Sequence, residues 1–151
     1  MKIAVQREDF DAGAEIRALS RDPKVGAVAS FVGVVREVPM TLEHYAGMTE
    51  KEIGKIVAEA SARWQVMDCT VIHRYGELKP TDQIVLVVVA SAHRGDAFAA
   101  CEFVMDYLKT RAPFWKKEQT SEGARWVEAR ASDDEAAERW QPQIAKPKKL
   151  G

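Results

Sequence analysis

The chain has 151 residues, which suits a single domain of ordinary size. It is 46% hydrophobic and 30% charged, so a core can form beneath a charged surface. The 22 Lys and Arg residues nearly balance the 23 Asp and Glu residues, which argues against a general nucleic-acid or membrane-surface binder. No apolar run reaches the roughly 18 residues that span a bilayer. The N-terminus lacks the apolar core of a signal peptide, so we expect a cytoplasmic protein.

The first third of the chain predicts three strands and a short helix. Residues 2–6 form the first predicted strand, and residues 12–20 the helix. Residues 25–36 are apolar and rich in Val, which predicts a strand that is buried on both faces. Residues 41–45 are predicted to be its hairpin partner across a short turn.

A long helix is predicted next. Thr49 and Glu52 have the spacing of a capping box, with Thr49 as the N-cap residue. The apolar stripe of this helix, with i, i+3, i+4, i+7 and i+11 spacing, consists of Ile53, Ile56, Val57, Ala60 and Trp64.

The second half of the chain predicts four strands and two helices. The strands are residues 69–75, 83–91, 114–119 and 125–129. A turn at 79–82 separates the first two. The long helix between the two strand pairs has an apolar face formed by Ala97, Cys101, Val104, Met105 and Leu108. The final helix covers residues 133–140, with Ser132 or Asp133 as its cap.

Strands that alternate with helices and also pair as hairpins predict an α+β domain with a mixed or largely antiparallel sheet. We expect this domain to cover residues 1–140. Residues 141–151 contain two prolines, three lysines and few apolar residues, which predicts a flexible basic tail.

The densest functional signal is the segment 109–118, which holds four cations before its acid, Glu118. Lys109 ends a predicted helix and Lys116 lies on the next strand, so the two lysines could converge on one pocket. A solvated basic surface is the competing interpretation. A third is an RNA-binding module with Trp115 as a stacking platform, which the near-neutral net charge argues against.

Two further cationic positions lie at the ends of predicted elements. His93 and Arg94 stand at a strand-to-helix junction, where free main-chain N–H groups favour anions, although they could also merely cap the helix. Arg36 directly follows an apolar strand. His44 and His73 lack the spacing of metal ligands, so we expect both to be structural.

Six stretches of the chain, in unbroken order between residues 3 and 140, resemble the large, catalytic subunit of molybdopterin synthase. They are residues 25–36, 42–50, 71–78, 91–94, 105–118 and 126–129. The resemblance implies an α/β hammerhead-type fold with a mixed or antiparallel sheet and an added antiparallel subdomain. It also implies a homodimer at the centre of a heterotetramer.

The resemblance further implies an activity. Two sulfurs would pass from a small ubiquitin-like carrier, whose C-terminal Gly-Gly ends in a thiocarboxylate, to cyclic pyranopterin monophosphate, giving the dithiolene of molybdopterin. The carrier's sulfur is the nucleophile, so no metal, cofactor or catalytic cysteine is implied. The alternative is a non-enzymatic adaptor that keeps the fold and binds the carrier.

The matching positions imply the site. Lys109 corresponds to the principal catalytic lysine, Lys116 lies in the second lysine segment, and His93 is a plausible proton shuttle. The residues that would contact the substrate are Val34 and Val35 through their backbone, Arg36, His93, Arg94, Lys109, Lys116, Lys117 and Glu118. Cations in such number suit a phosphorylated substrate and an anionic sulfur donor.

Overall fold

The computed structural model describes residues 1–120, 123–127 and 131–140; the predicted tail at 141–151 lies outside them. Within that part the elements in chain order are β1 (Lys2–Gln6), α1 (Ala12–Leu19), β2 (Ala27–Val34), β3 (Met40–His44), α2 (Met48–Arg63), β4 (Asp68–Arg74), β5 (Gly76–Leu78), β6 (Gln83–Ser91), α3 (Arg94–Thr110), β7 (Phe114–Thr120), β8 (Gly123–Val127) and α4 (Ala131–Glu138). None of the described helices is long and apolar enough to cross a membrane.

The main sheet has the strand order β1-β4-β6-β2, with β1 parallel to β4 and the other pairs antiparallel. Helix α1 covers one face, and α2 and α3 cover the other. The central strand β6 is buried on both sides, because its alternate residues belong to two separate cores. The α+β class and the mixed sheet are thereby confirmed.

The second sheet has the order β5-β3-β7-β8 and is antiparallel throughout. Its inner face carries Met40, Leu42 and Leu78, which pack with Val35 at the end of the main sheet. This is the added antiparallel unit that the resemblance implied.

The prediction that residues 41–45 pair with the strand before them is wrong. Strand β3 pairs with β5 and β7 instead. The chain leaves the main sheet after Val34, where the register shifts. Val35 then exchanges main-chain hydrogen bonds with the 81–82 turn, and Glu37 adopts a positive φ of 67°. These features carry the chain across to the second sheet.

The prediction that β2 is buried on both faces is also wrong. It is an edge strand of the main sheet. Phe31 is 41% exposed and Val34 is 49% exposed. The apolar composition of this strand therefore does not reflect burial within one chain.

The predicted helix starts are displaced by about one or two residues. Helix α2 begins at Met48, and its N-cap is Gly47, whose N–H donates to the Glu50 carboxylate at 2.7 Å. Thr49 is instead fully buried, and its hydroxyl donates to the Tyr45 carbonyl. Helix α4 begins at Ala131, so the proposed caps lie inside it. The apolar stripe of α2 is confirmed.

An aromatic cluster joins the two sheets. The buried ring of His73 on β4 stacks on Phe114 of β7, with centroids 3.8 Å apart and planes 19° apart. Its Nδ1 donates to the Arg74 carbonyl at 2.8 Å. His44 lies 4.3 Å from the Tyr75 ring and 6.1 Å from Phe114. Both histidines therefore have the structural role that the sequence predicted.

The burial of His73 predicts a pH-dependent stability. Burial lowers the pKa of His73 to about 4, against the partly compensating bond to the Arg74 carbonyl. The unfolded chain binds this proton below about pH 6.5, so the free energy of unfolding should fall as the pH drops from there towards 4. The loss of unfolding free energy that comes from His73 should reach up to about 3 kcal/mol. His73→Gln has no group at this position that titrates in this range, so this loss should be absent from the variant. Urea unfolding of both proteins across this range measures it, and equal pH slopes would contradict it.

Two glycines predict opposite responses to alanine. A Cβ at Gly26 would lie 2.2 Å from the Ala92 carbonyl oxygen. Gly26→Ala should therefore lower the free energy of unfolding by about 1–3 kcal/mol, because the site is overpacked. A Cβ at Gly54, inside α2, would meet only the tip of Ile3 at 3.7 Å. Gly54→Ala should therefore raise the free energy of unfolding by about 0.5–1 kcal/mol, because alanine loses less conformational freedom than glycine inside a helix. Urea unfolding distinguishes the two, and a Gly26→Ala protein as stable as wild type would refute the steric argument.

Candidate functional site

Lys109 lies in the last turn of α3. This helix starts where β6 ends and packs back across β6 and β2, so its C-terminal turn lies where β6 begins. The charge of Lys109 contributes to the lowered pKa of His73, after burial as the main cause. The charge of Lys109 therefore acts on the aromatic cluster that joins the sheets.

Lys116 lies on β7, opposite Leu42 of β3. Its side chain is on the same face of the strand as Phe114, because residues two apart share a face, and it forms a 2.9 Å ion pair with Glu118. Leu42 packs with Val35, which directly precedes Arg36. The fold thus brings Lys109, Lys116 and Arg36 to the same end of the main sheet.

Lys117 alternates to the opposite face of β7, where Thr41 is its cross-strand neighbour. Trp115 shares that outer face and packs edge-on against Tyr45, with centroids 4.3 Å apart. Of the two aromatic residues between Pro113 and Lys116, only Phe114 lies on the same face of β7 as Lys116.

His93 and Arg94 lie at the other end of α3. His93 is the N-cap residue and makes no side-chain capping bond, and Arg94 is the first helical residue. Both side chains are exposed. Fifteen residues of helix at about 1.5 Å each separate Arg94 from Lys109 by roughly 22 Å. One copy of the chain therefore does not bring this pair to the lysines.

Arg111 is part of the basic segment, but its charge is paired with two carboxylates. Its guanidinium binds Glu52 at 2.8 Å and Glu59 at 2.5 Å, both on α2. Burial would lower the pKa of Arg111, but the hydrogen bonds and charges of the two glutamates outweigh it and raise the pKa. The sequence pattern did not identify this pairing, because it joins segments far apart in the chain.

The two cysteines are poor nucleophiles. Both are buried, and burial raises the pKa of Cys69 to about 12 and that of Cys101 to about 11. A thiol with such a pKa is almost wholly protonated near neutral pH. Among the described residues, no three His, Cys, Asp or Glu side chains are grouped so that they could hold a metal ion.

A surface depression of about 370 Å³ lies on the outer face of the second sheet and contains none of the predicted site residues. Its lining is Arg7, Thr41, Glu43, Tyr75, Gly76 and Glu77. Two carboxylates against one cation do not suit a phosphorylated substrate, so the lysine-bearing end of the main sheet is the better candidate.

Comparisons with known proteins show the family to which the chain belongs. The family model described as MoaE protein matches residues 5–111. A molybdopterin synthase catalytic subunit from Ralstonia nicotianae is 61% identical over 146 residues, which cover 91% of this chain and 83% of that protein.

Solved structures agree as well. The molybdopterin biosynthesis MoaE protein from Burkholderia ambifaria is 60% identical, with a TM-score of 0.81 over 93% of this chain and 98% of that one. A complex of subunits 1 and 2 of molybdopterin-converting factor from Helicobacter pylori contains a chain of the same fold, with 18% identity and a TM-score of 0.71 over 85% of this chain and 91% of that one. The chain therefore belongs to the MoaE family, the catalytic subunits of molybdopterin synthase in molybdenum cofactor biosynthesis.

Proposed function

We propose that this chain is a sulfurtransferase that acts on cyclic pyranopterin monophosphate. It takes two sulfurs, one after the other, from the thiocarboxylated C-terminus of a small carrier protein and forms the dithiolene of molybdopterin. The observation that carries the proposal is the position of Lys109 and Lys116, which the end of α3 and the start of β7 bring to one end of the main sheet.

The charges at this end suit the reactants. The substrate carries a cyclic phosphate and the donor a thiocarboxylate, so two anions must approach each other. Lys109, Lys116 and Arg36 offset that repulsion and stabilise the charge that develops as sulfur attacks the pterin side chain. The sulfur is itself the nucleophile, which agrees with two buried cysteines whose thiols stay protonated.

The proposed partner is a small ubiquitin-like protein that ends in Gly-Gly. The Helicobacter pylori structure is a complex of two subunits of molybdopterin-converting factor, which supports a two-subunit assembly. Glycines allow a tail to pass between closely spaced walls, and Phe114 is the apolar side chain beside Lys116 on that face. We place both proteins in the cytoplasm, a reducing compartment that suits the two free cysteines, Cys69 and Cys101.

The His93–Arg94 pair would come from a second copy of the chain. Within one copy it is roughly 22 Å from Lys109 along α3. The exposed edge strand β2, with Phe31 and Val34 on its surface, suits contact with a second copy. If two copies set their β2 strands antiparallel about a two-fold axis, the Ala27 end of one meets the Val34 end of the other. Because Ala27 pairs with Ser91, the partner copy's α3 start would approach the first copy's lysines.

Incubation with thiocarboxylated carrier and cyclic pyranopterin monophosphate tests the function directly. We expect molybdopterin to form in proportion to the carrier consumed, at two carriers per product as the two-sulfur stoichiometry requires. Carrier binding without product would instead support the adaptor alternative.

Lys109→Ala should lower the rate of product formation by about 10²–10³-fold, because it removes a preorganised charge from the site. The free energy of unfolding should change little, since the side chain is exposed. Lys51→Ala, which removes an exposed lysine of α2, is the matched control and should keep its activity. A Lys109→Ala enzyme that turns over near the wild-type rate would rule out the proposed role.

A shared site predicts complementation between two inactive variants. Lys109→Ala and Arg94→Ala should each be nearly inactive alone. After equal amounts are unfolded and refolded together, half of the dimers are mixed and each mixed dimer has one intact site. Roughly a quarter of the wild-type activity should therefore return. No recovery, with mixed dimers verified by mass, would show that the two residues do not act across copies.

A further inference from the structure

The turn between α3 and β7 is tied to helix α2 by one arginine. Arg111 donates from Nε and a terminal nitrogen to the same Glu52 oxygen, at 3.0 and 2.8 Å, and from its other terminal nitrogen to Glu59 at 2.5 Å. The guanidinium carbon also lies 5.2 Å from the centre of the Tyr107 ring. The arginine side chain is 29% exposed and Glu52 is 26% exposed, whereas Glu59 is 48% exposed, so the Arg111–Glu52 pair is the one that is partly shielded from solvent. We refer to Glu52, Arg111 and Glu59 as the arginine clamp.

Of the three clamp residues, Arg111 lies between the two lysines in the chain. Arg111 is the C-cap residue of α3, two residues after Lys109, and its N–H donates to the Tyr107 carbonyl at 2.7 Å. Strand β7 starts three residues later at Phe114. Any movement of this turn changes how far Lys109, on the helix, stands from Lys116, on the strand.

The other side of the clamp is rigid. Glu52 and Glu59 project from α2, whose buried residues Ile53, Ile56 and Val57 belong to the main core. The clamp thus connects the turn between α3 and β7, which leads into the second sheet, to a helix that is fixed by core packing. An arginine suits this task because its planar fork reaches two carboxylates at once, which a lysine cannot do in the same geometry.

We propose that Arg111 is a positioning residue, and that its ion pairs to Glu52 and Glu59 set the spacing of Lys109 and Lys116. It does not touch the substrate; it fixes the turn that joins the two elements that do. The effect on catalysis rests on the proposed function, whereas the effect on the turn does not. A displacement of a catalytic group by about 1 Å can cost about a hundredfold in rate, so small changes in this turn matter.

Arg139 provides a matched control. It also pairs with two carboxylates, those of Glu102 and Asp106 on α3, but it anchors the end of α4 and not the turn that leads into β7. Arg111→Gln and Arg139→Gln therefore remove the same charge and the same number of ion pairs. We expect kcat to fall by about 10- to 100-fold in Arg111→Gln, with KM for the carrier within about twofold of wild type. Arg139→Gln should keep its kcat.

Amide hydrogen exchange supplies a readout that needs no turnover. Exchange over residues 109–116 should accelerate in Arg111→Gln and in the double variant Glu52→Gln/Glu59→Gln, and stay at the wild-type rate in Arg139→Gln. Arg111→Lys keeps the charge but lacks the planar fork. Compared with Arg111→Gln, it should recover more of the free energy of unfolding than of kcat. The clamp is refuted if exchange over 109–116 is unchanged, or if kcat in Arg111→Gln equals that of Arg139→Gln. Should the wild-type protein form no molybdopterin, the proposed function fails, while exchange still decides whether the clamp fixes the turn.

Discussion

Both faces of strand β6 are buried, and this constraint sets the course of the helix that follows it. A strand that is apolar on both sides must be covered twice, so α1 lies on one face while α2 and α3 lie on the other. Helix α3 covers its face only by running back along the sheet from the point where β6 ends. It therefore carries Lys109 to one end of the domain and leaves Arg94 at the other. The division of the cationic residues into two groups follows from this packing.

The elements with strong periodicity were predictable from the sequence, and those defined by distant pairing were not. The stripe of α2 and the apolar run of β6 were predicted because the spacing of apolar residues along the chain indicates which face of each element is buried. Strand β5 has only three residues and carries no periodic signal. Because β5 was not predicted and β7 lies far along the chain, β2 was the nearest predicted strand with which β3 could pair. The hairpin predicted on that basis was wrong, since β3 pairs with β5 and β7.

Local signals were also ambiguous where two residues competed for one role. Gly47 with Glu50 and Thr49 with Glu52 both have the spacing of a cap. The structure uses the first pair because Glu52 is engaged by Arg111 and Thr49 is buried. In the candidate site, the residue types were predictable because an anionic substrate requires cations. The pairing of Arg111 with α2 was not, because a count of charges along the chain does not show which carboxylate a cation meets in the fold.

The second sheet also has a consequence for the order in which the protein folds. Strands β3 and β7 are neighbours in that sheet, yet α2, three strands and α3 lie between them in the chain. Closing such a long loop is entropically costly unless the intervening segment is already compact. The main sheet and its helices should therefore form before β7 docks on β3. Lys116 would then be among the last residues to reach its native place, and a chain in which β7 had not yet docked would have the core of the main sheet but an incomplete set of cations.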